Sequence, residues 1–345
     1  MNDKTIGADA ADAAEAFRQI RERVGIKQSG LEALPCIETV LETACPALVA
    51  ILRSNFIKTQ IEIYKRGDRE ANIQRALFMR EVNAANLCLL FAGLLSAVVL
   101  VLASGGEAGL LNRLPWLAPL LGLATLALGA TGAMFGFMAR DQARTARWLA
   151  RRGEAEIARL AVFRTIATGA AAAGDRDLAL HGLAVITTHL LDDQRAWLGG
   201  RAADHRRSSE RTSLWGGLAT GLAFVGGSGA IILGATPGIA WLVLAGVVGA
   251  GLAAFAANRE ALRRDRANAE RYEKAQVVLD KLAGRVDEIV VHVAGGEIQA
   301  LAVFAETLTD QLAAEHTEWL EGTAQAETVL AKFDAQLAGL SKRDG

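Results

Sequence analysis

Four runs of about twenty residues each carry no charged side chain: 84–104 (AANLCLLFAGLLSAVVLVLAS), 116–138 (WLAPLLGLATLALGATGAMFGFM), 214–235 (LWGGLATGLAFVGGSGAIILGA) and 238–257 (GIAWLVLAGVVGAGLAAFAA). A helix of that length crosses the hydrocarbon core of a bilayer. None of the runs shows the polar stripe that a surface helix of a soluble protein would carry. The pattern predicts four transmembrane helices in two hairpins. Residues 105–115 join the first pair, and Thr236 and Pro237 join the second.

Between and around these runs, polar and apolar positions alternate with helical periodicity. The spacing predicts an amphipathic helix over 8–24, ended near Gly25, and helix starts or breaks at Pro35 and Pro46. From Ala47 the pattern runs helically into the first span. Helix continues out of the second span over 139–168, turns in GAAAAGD at 169–175, and returns over 176–213 into the third. Beyond the fourth span, 258–293 reads as one helix of about 50 Å at 1.5 Å per residue. Gly295 and Gly296 break it, and a last helix covers 297–340. That helix has a seam of Ile298, Leu301, Ala305, Leu308, Leu312, Trp319, Ala326, Val329, Phe333, Leu337 and Leu340, interrupted at Glu315 and Gly322. The expected fold is thus all-α. An N-terminal helical arm (1–46) is followed by two two-span units (47–168 and 176–340), the second ending in acidic helices. The halves repeat long helix, basic collar, hairpin, basic collar and long helix. Their faint echo places Gln60 four residues before Tyr64 as Gln194 stands before Leu198.

Composition adds orientation. The chain is 52% hydrophobic and 22% charged with mean hydropathy +0.24, so the two classes are segregated. A net charge of −1 argues against a globally basic nucleic-acid binder. Of 37 basic residues, only Arg113 lies in a hairpin turn; 12 precede residue 84, 13 lie in 139–213 and 11 in 258–345. The positive-inside asymmetry puts both ends and the middle segment in the cytoplasm. Arg and Ala abundance fits GC-rich bacterial codon usage, which points to a bacterial inner membrane. Arg80, Arg140, Arg144, Arg147, Arg207, Arg211, Arg259, Arg263 and Arg264 form collars that could meet lipid headgroups. The N-terminus shows no cleavable signal, and Cys36, Cys45 and Cys88 form no CxxC pair.

Candidate chemistry is sparse. The sequence has no phosphate loop, HExxH, paired-cysteine site or dinucleotide fingerprint, so no catalytic residue, cofactor or metal is expected. The spans hold no ionisable residue, which disfavours coupled transport. What they hold is small residues in register: Ala118, Gly122, Thr125, Gly129, Gly132 and Gly136; then Gly217, Gly221 and Ser228; then Gly249 with its neighbours. Such stripes let helix backbones approach closely, within a chain or between protomers, or line a narrow pore. Asn86, about one turn inside the first span, suits a helix-interface hydrogen bond or a polar mouth. Trp148, Trp197 and Trp319 are expected packing anchors of the cytoplasmic helices, while Trp116, Trp215 and Trp241 sit near span ends.

The segments QIEIYKRGDREANIQRALFMRE, DQRAWLGGRAADHRRSSERTSLW and FAETLTDQLAAEHTEWLEG, each beside an apolar hairpin or closing the chain, resemble the SLATT domains of bacterial conflict systems. The resemblance would cover 47–340 as two tandem copies, although the family commonly has one hairpin per domain. It implies a homo-oligomeric effector that opens or perturbs the inner membrane, as in antiphage defence. A separate sensor protein or a nucleotide-type trigger would set it off. A membrane-anchored scaffold or sensor that recruits a partner through its helices is the other expectation.

Overall fold

The computed structural model describes the backbone of residues 3–26, 30–103, 114–139, 142–233 and 239–321. All regular structure there is helical. The helices are α1 (Asp3–Val24), α2 (Leu34–Leu41), α3 (Pro46–Leu52), α4 (Asn55–Ala103), α5 (Leu117–Ala139), α6 (Gln142–Ala172), α7 (Arg176–Ile186), α8 (Asp193–Leu233), α9 (Ile239–Arg263), α10 (Asp265–Ala283), α11 (Val286–Ala294) and α12 (Gln299–Glu321). A short 3-10 turn (Gly30–Ala33) precedes α2, and a π-helical turn (Thr187–Asp192) joins α7 to α8.

The chain packs as two units. One comprises 1–71, 148–201 and 271–345; the other comprises 72–147 and 202–270 and holds the apolar hairpins. We call them the core unit and the hairpin unit.

The core unit is organised around α7, in which every residue from Leu178 to Ile186 is buried. A helix apolar on all sides needs neighbours all round, and α1, α3, α11 and α12 pack on it. Phe163, Ile166, Leu183, Ile186 and Phe304 are fully buried there with Leu34, Ile37, Leu41, Leu48, Leu52 and Ile57. The N-terminal 46 residues belong to this core through Phe17, Ile20 and Val24. Asp175 caps α7, its Oδ1 accepting from the N–H groups of Asp177 (2.8 Å) and Leu178 (3.1 Å). Gly174, at φ +68°, makes the turn before it. In the π turn, buried His189 donates from Nε2 to the Val24 carbonyl at 2.9 Å, satisfying a terminal carbonyl of α1. Burial pushes the His189 imidazole below its ordinary value, so it sits neutral.

Several boundaries differ from the periodicity: α6 runs on to Ala172, into the turn expected over 169–175, and the return helix over 176–213 is interrupted by the π turn. The run from Ala47 breaks at Arg53 and Ser54, where the Ser54 hydroxyl accepts from the Ile57 N–H (3.4 Å) and restarts the helix as α4. The run over 258–293 is not one rod. It breaks at Arg264, whose φ is +51°, and again before Val286. The break at Gly295 and Gly296 stands, with Gly296 at φ +102°. The last helix is described as far as Glu321, so the seam positions Ala326, Val329, Phe333, Leu337 and Leu340 lie outside the described residues.

Candidate functional site

The hairpin unit inverts the packing of the core unit. Among the described residues, its buried side chains are Val82, Ala85, Asn86, Ala92, Ala97, Ala202, Ala219, Ala256, Asp265 and Ala269. Its large apolar side chains point outward: of 28 that are exposed in the described chain, 23 lie in this unit. Phe137 is 81% exposed, Ile232 80% and Phe224 73%. Small residues inside and large ones outside is how helices pack in lipid, where a hydrophobic exterior carries no penalty. Two described helices are long and apolar enough to cross a membrane, Asn55–Val99 and Leu117–Met138; Trp241–Ala257 is a shorter apolar helix. The apolar part of α8 is described as far as Leu233 and α9 from Ile239.

Within the second hairpin the backbones nearly touch. A Cβ built on Gly226 would lie 2.2 Å from the Gly246 nitrogen and 2.5 Å from the Leu242 carbonyl oxygen. One on Gly249 would lie 2.4 Å from the Ala223 nitrogen and 2.7 Å from the Ala219 oxygen. Gly216 completes this face against the Ala256 Cβ at 3.3 Å. The contact stripe is therefore Gly216, Ala219, Ala223 and Gly226 against Gly246, Gly249 and Ala256. Gly217 and Gly221, the evident GxxxG, point the other way, with nothing within 4 Å of a Cβ, and Ser228 is exposed beside them. The missed signal was the 3-4-3 spacing from Gly216 to Gly226, one residue out of phase with GxxxG and hence on another face of the helix.

In the first hairpin the tightest glycine contact lies near its open end. Gly132 is buried, and a Cβ there would meet Leu89 Cγ at 2.9 Å and Cys88 Cβ at 3.2 Å; one at Gly136 would lie 4.0 Å from Ala85 Cβ. Gly122 and Gly129 have nothing within 4 Å. Ala118 and Thr125 are half-buried, and Thr125 returns its hydroxyl to the Leu121 carbonyl at 2.9 Å. Asn86, 4% exposed, sits among the buried alanines of α4, which makes it an interface residue within the chain.

The break at Arg264 carries a polar cluster. Asp265 is fully buried and accepts from His205 Nδ1 (2.7 Å) and from the Ser208 hydroxyl (2.6 Å), with Arg263 Nε at 3.2 Å. Burial raises its carboxyl, but the Ser208 and His205 hydrogen bonds and the Arg263 charge together hold it below the ordinary range. Ser208 bonds the carboxylate, so the trio is a tie between α8 and α10 and lacks the hydroxyl-to-imidazole contact of a nucleophile. Among the described residues no group of three or more His, Cys, Asp or Glu could hold a metal ion.

No protein-family model, curated protein or solved structure matches the chain. The geometry stands alone.

The remaining predicted positions distribute as follows. Arg80, Arg147, Arg207, Arg211 and Arg264 are exposed, and Arg259 and Arg263 are half-buried. Arg207 lies 3.7 Å from Asp204. Arg140 is outside the described residues, as are the side chains of Arg144 and Trp319. Trp148 is half-buried. Trp197 packs edge-on against Tyr272, ring centroids 5.6 Å apart, with the Arg201 guanidinium over its ring. In the core unit, α4 and α6 cross at Gly67, where a Cβ would lie 3.1 Å from Ala155 Cβ. Arg152 pairs there with Asp68, Arg151 with Glu70 (2.9 Å) and Arg66 with Glu154 (3.7 Å).

Proposed function

We propose that the chain is a four-span protein of the bacterial inner membrane, its termini cytoplasmic, that assembles into an oligomer able to open or disrupt that membrane. The inverted packing of the hairpin unit carries this reading. Weighted by exposure, moving its 23 outward apolar side chains from water into lipid would gain roughly 25 kcal/mol, at about 2 kcal/mol for a fully exposed side chain. Exposed apolar surface gathered in one unit in this way marks a contact with membrane or protein.

The second hairpin leaves no room for a conduit between its own helices, so a pore would run between copies of the chain. The open faces at Gly122 and Gly129 on α5, and at Gly217 and Gly221 on α8, support that assembly, because each admits a second backbone. The helical core unit would gate it, triggered by a separate sensor protein or a nucleotide-type ligand, as in the SLATT effectors that the sequence resembles. No catalytic residue or cofactor enters this account.

The test is ion flux from liposomes holding the purified chain, with and without cytoplasmic extract from stressed cells. Flux that requires the extract and is lost in Gly129→Leu is expected. Gly132→Leu is the wrong probe, since it would collide with Leu89 inside the hairpin. Tight liposomes holding folded, inserted protein under all conditions would sink the pore. They would favour a membrane-anchored scaffold.

A further inference from the structure

Charge is divided between the units. Of the chain's 37 basic and 38 acidic residues, 13 and 8 fall in the hairpin unit, leaving 24 and 30 in the core unit. The hairpin unit is thus net basic and the core unit net acidic.

The arginines also differ in how they are partnered. Farther from the span along α4, the basic groups are neutralised: Arg66 by Glu154, Arg151 by Glu70 and Glu154, and Arg152 by Asp68. Beside the apolar runs, part of the charge is neutralised as well. Asp265 takes Arg263, Asp204 lies near Arg207, Glu270 takes Arg266, and Glu260 accepts from the Arg266 backbone. Four arginines beside the runs pair with no carboxylate among the described residues: Arg80, Arg211, Arg259 and Arg264. Arg80, Arg211 and Arg264 are exposed and Arg259 is half-buried.

Each lies within seven residues of a run's edge, at residues 84, 214 and 257. At 1.5 Å per helical residue, Arg80, Arg211 and Arg259 stand about 6 Å or less from the edge and Arg264 about 10 Å. The headgroup layer outside a bilayer's hydrocarbon is about 5–7.5 Å deep, so the first three lie within it and the Arg264 side chain has to reach back to it. Arg264 stands at the helix break with a left-handed φ of +51°, next to the buried Asp265 tie to His205 and Ser208. Guanidinium forks left without carboxylates, in a layer that contains phosphates, are matched to phosphate oxygens.

We propose that Arg80, Arg211, Arg259 and Arg264 form a docking surface for the phosphates of anionic phospholipids in the membrane that holds the chain. This rests on the membrane reading above. A topology signal needs only the positive charge; a docking surface also needs that charge to be free of carboxylate partners, as it is among the described residues.

The experiment uses the full chain, solubilised in detergent, with equal amounts of phosphatidylglycerol and phosphatidylcholine added, and measures which lipid is retained by native mass spectrometry. Phosphatidylglycerol should be retained about fivefold over phosphatidylcholine, and high salt should erase the preference. Changing the four arginines together to Gln should abolish it, and Arg80→Gln or Arg211→Gln alone should reduce it. Changing Arg66, Arg151 and Arg152 to Gln should leave it intact, because those side chains are already paired. Equal retention of both lipids by the wild type would overturn the proposal, as would a preference that survives loss of all four arginines. A chain that stays in the aqueous supernatant without detergent overturns the membrane reading itself; an inserted chain without lipid preference overturns only the docking surface.

Discussion

Replacing Gly249 by Ala adds one methyl group to a helix that has no space for it. The new Cβ would lie 2.4 Å from the Ala223 nitrogen and 2.7 Å from the Ala219 carbonyl oxygen. Both are backbone atoms, so no side chain can rotate away, and α8 and α9 must separate by about 1 Å to restore van der Waals contact. Overpacking of this kind costs about 1–3 kcal/mol. The better helix propensity of Ala returns about 0.5–1 kcal/mol. The net expectation is a loss of about 0–2.5 kcal/mol, with a similar loss for Gly226→Ala, whose Cβ would lie 2.2 Å from the Gly246 nitrogen. Gly217→Ala and Gly221→Ala meet nothing within 4 Å and keep only the propensity gain, so they should be neutral or slightly stabilising in the monomer. Thermal unfolding followed by circular dichroism in a detergent that holds the chain monomeric separates the two pairs. If Gly217→Ala proves more damaging than Gly249→Ala, the second hairpin packs on its other face and the argument fails.

Other consequences follow from buried polar groups. His189 is neutral in the fold and takes a proton once unfolded near pH 6.5. Its contribution is therefore present above that pH and is lost as pH falls below it, by up to about 1.4 kcal/mol per unit. Unfolding compared at pH 7.5 and 5.5 should show this loss, and His189→Gln, which can still donate to the Val24 carbonyl, should show less of it; an equal loss in both would refute the assignment. Arg159 is buried against Glu156, so Glu156→Gln strands a cation and should cost about 3–5 kcal/mol in chemical denaturation; a change below 1 kcal/mol would mean that the pair is solvated. Arg264→Gly relieves a left-handed backbone and should raise stability by about 1 kcal/mol. Asp265→Ala should lower it, because His205 and Ser208 lose their acceptor; unchanged melting in both variants would show that the break is not held by this tie.

The apolar runs and the helical class were legible because length, absence of charge and 3.6-residue periodicity survive in one dimension. The prolines at 35 and 46 mark the first turns of α2 and α3 as expected. The break at Arg53 has a local signal, the Ser54–Asn55 pair suited to capping a helix. The break at Arg264 had none: NREALRRDRANAE reads as unbroken helix, and the carboxylate beside the break is bound by His205 and Ser208, some sixty residues earlier in the chain. Likewise, the glycine stripes were visible, but composition does not say which stripe meets a partner. Gly217 and Gly221 form the familiar motif, yet Gly216, Gly226 and Gly249 carry the contact. The division of the collar arginines into paired and unpaired sets depends on which carboxylates the helices bring near, and only the three-dimensional structure supplies that.

The central claim is that the large side chains of the hairpin unit face lipid. Nitroxide labels placed singly at Leu120, Leu123, Leu218 and Leu222, all exposed and turned away from the Gly122–Gly129 and Gly217–Gly221 faces, test it most directly in reconstituted liposomes. The account predicts high collision rates with dissolved oxygen and low rates with a water-soluble nickel chelate at all four positions. The reverse pattern, nickel access with weak oxygen contact, would mean that these helices stand in water and would contradict it.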